Sequence, residues 1–571
     1  MTEPFASPSP TLKSKADMDT DASVMTHCFL RKCGRVYDQL CAHFVTMDKR
    51  QATTAELLNW AEAMATLFWV HHPGRFADGK FENVLLRIGT ELLDEPAAVG
   101  GSVPITVKSG GCGCRRRVLH VVTTAYQTGG HTRLIRNFIK NDFDSHHSLI
   151  VTRQAEDEIP EWLSDAVRES GGSVTILPST ADVLSRARSL RSAIRADADV
   201  IILHHHPNDL VPVLALSTMP CPPVAVMDHA DHVFWVGSTI SDLMVEYKSG
   251  GKQIAEERRF ARKTLMLPLP IDHQPLKLSR LEARRRLGIP EDQVVLLSMG
   301  SSGKYRPNET HNFFRTSVKI LERNPAAHIY LIGLSRDDDE DYVNEVNHDR
   351  FHLLGVISDP SAYFVASDLF LNSFPLGGGM AMLESALADC LPILGYGTSD
   401  PWTAFHDVAF AGLINSARDE ADYISEVCEL IADEKKRSRL AAELKERVIE
   451  HHAGPTWHAS LAAIYRYLAD VTHEPHQIPE SDYREAGEDL FLAKLRESSG
   501  FPSPVIWELG FDQGLTFRNR VRLFQMLLGV DQASSSGRRP MSWVRALIMA
   551  SRRMNQRIRN SVRYRLGLAN N

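Results

Sequence analysis

Leu369–Asn372 reads LFLN, Phe374–Asp389 reads FPLGGGMAMLESALAD and Pro392–Gly395 reads PILG. A short apolar run, three consecutive glycines, a helical stretch over Met380–Asp389 and a second apolar run make one strand–helix–strand unit, the building block of a parallel sheet. The glycines Gly377, Gly378 and Gly379 sit where a strand gives way to a helix. Backbone N–H groups at such a start, through Met380 and Ala381, have no partner within the helix and carry its positive dipole end, so the turn is a ready anion site. Glu384 lies about one turn further in, within reach of a ribose beside bound phosphates, where a carboxylate accepts hydrogen bonds from two sugar hydroxyls.

The same rhythm extends upstream. Val294–Gly300, His328–Gly333 and Phe351–Leu354 read as strands and Glu309–Arg323 as a helix. Leu267–Pro270 and the charged Ser279–Gly288 form a crossing to an earlier block. There Val118–Thr123 (VLHVVT), His147–Thr152, Val174–Leu177, Val200–His204 and Pro223–Asp228 are strand-like, with helices over Thr132–Lys140 and Ala181–Ala196. The expected fold class is therefore α/β: two Rossmann-like domains, 118–280 and 281–415, facing a cleft. Helices over 416–474 pack back on them, and helical N-terminal and C-terminal extensions flank them.

Of these extensions, 1–26 is polar and expected to be disordered, 27–99 is helical, and 100–117 is a Gly-, Ser- and Arg-rich linker. The region 475–571 ends in Gly537–Asn571, which carries nine arginines and no acidic residue. Its apolar residues Trp543, Leu547, Ala550, Met554, Ile558 and Val562 share one helical face. Such a helix suits peripheral contact with the inner face of a membrane, or equally a surface of its own protein.

Bulk numbers narrow the class. Sixty-four basic and 71 acidic side chains nearly balance, which argues against a nucleic-acid partner. No run approaches the length of a membrane span, and the start does not read as a secretory signal, so a cytoplasmic location is expected. Eight cysteines are few for 571 residues. Only Cys112 and Cys114 are close, and a lone C-x-C lacks the second pair of a zinc site.

Four further clusters fall at expected strand ends. Ser298–Pro307 (SMGSSGKYRP) offers small residues with Ser302, Lys304 and Arg306, whose charges suit a diphosphate leaving group without a metal. Gln127–Arg133 (QTGGHTR) places Gly129, Gly130 and His131 after the first strand, with Arg133 beside them. His204–Asp209 (HHHPND) and Asp228–Trp235 (DHADHVFW) then supply His229, Asp231 and His232, candidates for the base that deprotonates an acceptor. The acidic run Asp337–Asp341 reads as solvated surface.

Over about 118–470 the chain resembles GT-B glycosyltransferases, most nearly the O-GlcNAc transferase group and its soluble bacterial protein-glucosyltransferase relatives. The resemblance rests on HIYLIGLS and on FHLLGVISDPSAYFVASDLFLNSFPLGGGMAMLESALADCLPILGYG. It implies a hexosyl- or N-acetylhexosaminyltransferase that binds a nucleotide sugar, expected to be a UDP-sugar, and needs no metal or other cofactor. It implies that Lys304, three residues before Pro307, contacts the diphosphate, that Glu384 holds the ribose, and that His229 is the cleft histidine. The acceptor is a surface glycan, a lipid-linked glycan or a protein. Where many retaining members carry the first of two glutamates this chain has Leu376, and the choice between inversion and retention stays open. Three other readings remain: a sugar-nucleotide epimerase on this fold, a hydrolase with a metal on Asp228, His229, His232 and His204, and a non-catalytic nucleotide-binding scaffold.

Overall fold

The computed structural model describes residues 15–497, apart from 51, 94–114, 128, 155–158, 179–180, 219, 273–277, 309, 337–342, 344–347, 398–406 and 408, together with 519 and 523. The basic segment 537–571, the Cys112/Cys114 pair and the acidic run 337–341 lie outside the described residues. The chain forms two compact units, one of residues 1–76 with 481–571 and one of 77–480.

In the first unit, helices Lys15–Lys49, Thr54–Val70 and Gly487–Glu497 surround a core that includes Leu40, Phe44, Trp60 and Phe68. The helix from Lys15 takes in residues expected to be disordered. No Pro or Gly interrupts residues 15–33, so nothing breaks the helix before it meets that core. Thr53 and Glu56 cap the second helix reciprocally, satisfying two N–H groups that would otherwise lack partners. A buried His72–Asp489 contact of 2.6 Å ties the C-terminal helix in.

The second unit carries two wholly parallel sheets. The first contains β1 (Arg116–Val122), β2 (Ser145–Val151), β3 (Val174–Ile176), β4 (Val200–His204), β5 (Val224–Met227), β6 (Leu243–Glu246) and β7 (Thr264–Met266), in the order β3-β2-β1-β4-β5-β6-β7. The second contains β8 (Val294–Met299), β9 (Ala327–Ile332), β10 (Phe351–Leu353), β11 (Leu369–Leu371) and β12 (Leu391–Ile393), in the order β10-β9-β8-β11-β12. Strands buried on both faces need near-continuous apolar runs, and β4, β5, β6, β11 and β12 are buried throughout. Both orders reverse beside their first strand, which opens a crevice at the strands' C-terminal ends. The expected fold class, two Rossmann-like domains facing a cleft, is observed.

Differences from the sequence reading are local. Strands β6 and β7 were not expected. The helix expected from Glu309 starts at Phe313, because Asn312 caps it by accepting from the Arg315 N–H at 3.0 Å. β1 begins inside the expected linker, where Arg117 pairs with Asp199 at 2.8 Å and Arg116 lies 3.8 Å over the Tyr465 ring. The helix Gly79–Leu93 packs on the first sheet's domain, its buried Glu82 accepting from the N–H groups of Gly237 and Thr239 at 3.0 and 3.2 Å.

The chain passes between lobes twice. Helices Glu420–Ala432 and Glu434–His452 pack on the second lobe's core through residues such as Leu444 and Val448. Helix Pro455–Ala469 then packs on the first lobe, with Trp457 and Leu461 against Val118, Phe138 and Ile202. Where the two passages meet, His452 Nδ1–H donates to the Leu269 carbonyl at 2.8 Å, and the Ile271 N–H donates to the His452 carbonyl at 3.3 Å. Among the described residues no helix is long and apolar enough to cross a membrane, and the described cysteines are free thiols.

Candidate functional site

A cleft of about 590 Å³ lies between the lobes of the second unit, at the C-terminal ends of β1, β5, β6, β8, β9 and β11. On the second-lobe side, the β11 turn leads into helix Gly379–Leu387. Its N-cap Gly378 makes no side-chain cap, so the first N–H groups of the helix are left for a ligand. Asn372 fixes the turn by accepting from the Gly378 N–H at 2.9 Å. The Lys304 ammonium lies over the same turn, donating to the Gly377 carbonyl at 3.4 Å. Burial lowers its pKa below the ordinary lysine value, and no carboxylate is paired with it among the described salt bridges. An unneutralised ammonium beside a helix start is an anion-binding arrangement.

Lys304 comes from the one-turn helix Ser302–Tyr305. Tyr305 anchors that turn from inside, its hydroxyl 2.9 Å from Ser298 Oγ. One turn cannot present every residue to one side, and the expected contacts Ser302 and Arg306 are not among the cleft-lining residues, whereas Lys304 and Ser301 are. Gly377, Gly378, Gly379, Met380, Ala381 and Glu384 all line it. Glu384 is half-buried, and Arg133 of the facing lobe donates to its two oxygens at 3.0 and 3.1 Å. Burial raises the Glu384 pKa and the Arg133 charge opposes that rise.

On the first-lobe side Gly129, Gly130, His131, His229, Asp231 and His232 line the cleft. Gly129 holds φ +112° as N-cap of helix Gly130–Asn141, a backbone state that only glycine adopts readily. His131 Nε2–H donates to the His204 carbonyl at 3.1 Å, while its Nδ1 is buried without a hydrogen-bond partner among the described residues. Burial, and next the neighbouring His206, pushes its pKa down to about 3.

His229 follows β5 and is held well below the usual histidine pKa by burial, then by His131. It is a neutral imidazole at neutral pH. Lys248 at 3.0 Å and His232 at 3.2 Å hold Asp231 in its charged form. His232 faces outward, its side chain 43% exposed.

The structure adds Glu246, Tyr247 and Lys248, which the sequence reading missed because β6 was missed. Burial first, then the charges of Asp228 and Asp231, keep the Glu246 carboxyl well above the usual range. Its Oε1 and the Tyr247 hydroxyl are buried with no hydrogen-bond partner among the described residues. The signal was present in LMVEYKSGG, a second apolar run leading through paired glycines into a helix, Ser249–Arg258.

The residues expected as metal ligands lie near one another but are engaged elsewhere. Asp228 faces Arg259 at 3.3 Å, and both ring nitrogens of His204 bond other imidazoles. Among the described residues no group of three His, Cys, Asp or Glu side chains is arranged to hold a metal ion.

No protein-family model matches the chain. The D-inositol 3-phosphate glycosyltransferase of Stackebrandtia nassauensis is 27% identical over 195 residues, or 31% of this chain and 42% of that protein. The chain thus spans less than half the length of the curated relative it matches. That relative is a glycosyltransferase. Among solved structures, an O-GlcNAc transferase mutant of Thermobaculum terrenum is similar with 15% identity, covering 78% of this chain and 84% of its own, at a TM-score of 0.46. Anabaena HepE in complex with UDP and glucose is similar with 13% identity, covering 62% and 99% of the two chains, at a TM-score of 0.47.

Proposed function

We propose that the protein is a GT-B glycosyltransferase that moves a hexosyl or N-acetylhexosaminyl group from a UDP-sugar to a hydroxyl or amide of a glycan, lipid-linked or protein acceptor. One observation carries this reading: a single cleft brings Lys304 and the open helix start at Gly377–Gly379 opposite the neutral imidazole of His229. The acceptor oxygen or nitrogen attacks the anomeric carbon, and the bond from that carbon to the diphosphate oxygen breaks. The acceptor proton passes to His229. The negative charge left on the nucleoside diphosphate is met by the Lys304 ammonium and the helix N–H groups, which supply in fixed form what a metal ion supplies elsewhere.

On this reading Glu384, already oriented by Arg133, accepts from the ribose hydroxyls, and Val356 and Ile357 on the cleft rim offer an apolar surface to the base. His131 Nδ1, Tyr247 Oη and Glu246 Oε1 provide an acceptor, a donor and a carboxyl oxygen for a hydroxylated ligand on the other side. Buried polar atoms left unpaired cost stability, so a ligand that pairs them gains affinity.

A thermal-shift titration with UDP, GDP and their sugars tests the reading. UDP or a UDP-sugar raises the melting temperature of the full chain, and Lys304→Ala and Glu384→Ala each reduce the rise. A chain that no nucleoside diphosphate stabilises would overturn it.

A further inference from the structure

Behind His229 the first lobe contains a feature that sugar transfer does not itself require. His147 on β2, His120 on β1, His204 on β4 and His229 after β5 are joined end to end. His120 Nε2 is 2.9 Å from His147 Nδ1, His204 Nε2 is 2.9 Å from His120 Nδ1, and His229 Nε2 is 2.9 Å from His204 Nδ1. The register explains the line. His147 pairs with Val118 and His204 with Val122 on either side of His120, so the three side chains share one face and cross the sheet diagonally. Phe138, with Trp457 behind it, closes that face: its ring is 5.4 Å from His120 and 5.7 Å from Trp457.

The inner end fixes the direction of the whole row. His147 Nε2 is 3.0 Å from the Asp142 carbonyl. A carbonyl oxygen only accepts, so this nitrogen carries the proton and His147 Nδ1 is a lone pair. His120 must then donate from Nε2, which makes its own Nδ1 an acceptor. The same step repeats through His204 to His229. Burial holds all four imidazoles below their ordinary pKa and so keeps them neutral.

We propose that His147, His120 and His204 are positioning residues: a one-way hydrogen-bonded row, anchored on the Asp142 carbonyl, fixes His229 as the Nε2–H tautomer and leaves its Nδ1 lone pair as the atom offered to the cleft. His229 Nδ1 has no hydrogen-bond partner among the described residues, and the His131 and His229 rings meet in a T-shaped contact with their centroids 4.3 Å apart. The inference rests on His229 being the group that meets the acceptor. The row itself is independent of which sugar or acceptor is used.

The test is ¹⁵N NMR of the full chain labelled at histidine, with His229 signals assigned by their loss in His229→Gln. Scalar coupling across the hydrogen bonds is expected from His229 Nε2 to His204 Nδ1, and onward to His120 and His147, with Nε2 protonated at each residue. In His120→Phe the row is cut, and the His229 Nε2–H exchanges with solvent at least about tenfold faster. In His147→Gln the amide donates to Asp142 and accepts from His120, so the coupling between His229 and His204 persists. A protonated Nδ1 on His229, absence of that coupling in the natural chain, or unchanged exchange in a folded His120→Phe would overturn the inference. The natural-chain spectrum decides even if His120→Phe fails to fold. Should UDP titrations fail while the couplings are present, the transferase reading falls and the row stands.

Discussion

On the second-lobe face of the cleft, the groups offered to a ligand are backbone N–H groups, a single ammonium and the Glu384 carboxylate, set on or just after turns of small residues. On the first-lobe face they are imidazoles, a phenol and a buried carboxyl, each placed by neighbours within the core. The second-lobe groups are mostly main chain, which tolerates little change in shape, and the titrating side chains among them are Lys304 and Glu384. The first lobe offers atoms whose protonation decides what they do. On the proposed reading, one face holds charge and the other handles a proton.

This contrast can be broken by experiment. The largest effect is expected from acid, because it acts on several first-lobe histidines together. Their folded pKa values lie below the ordinary 6.5, with His131 at about 3 and His206 at about 4. As pH falls through 6.5 the unfolded chain takes up protons that the folded chain refuses, so stability is lost progressively down to those folded values. Melting temperatures measured from pH 7.5 to pH 4.5 should fall steadily. A flat profile would mean that these imidazoles are not buried and neutral.

Next is Lys304→Ala, expected to weaken UDP binding by about tenfold to a hundredfold, equivalent to about 1.4–2.8 kcal/mol, while the melting temperature of the unliganded chain hardly moves. Calorimetric titration checks it. Gly172→Ala should show the opposite pattern. A Cβ there would lie 1.8 Å from the His147 carbonyl, and forcing β2 aside should cost about 1–3 kcal/mol in chemical denaturation. The smallest effect is expected from Gly378→Ala. Its Cβ would lie 2.9 Å from Lys304 Nζ, the far end of a flexible side chain. Folding should be nearly unchanged and UDP binding weakened by less than in Lys304→Ala.

The second-lobe face was legible in the sequence because its parts are contiguous: a strand, a glycine run and a helix start within FPLGGGMAMLE. Lys304 was legible for the same reason, as part of a short strand-end motif. Ser302 and Arg306 were read alongside it, since spacing along one turn does not say which residues face inward. The first-lobe face was only half legible. Two histidine clusters at strand ends were visible, but Asp231 pairs with Lys248, two residues beyond the end of β6, and β6 is four residues long, too short for periodicity to reveal. The histidine row depends on register between β1, β2 and β4, which sequence spacing does not contain. Both sheets were anticipated because fully buried parallel strands leave apolar runs that no loop imitates over several repeats.

The contact of His452 with Leu269 and Ile271 has a mechanical consequence. The two stretches of chain that join the lobes are clasped to each other at His452, so any turning of one lobe against the other must bend the chain around that residue. A change at His452, which does not line the cleft, would loosen that joint, and on the proposed reading would alter how readily the cleft opens to a donor.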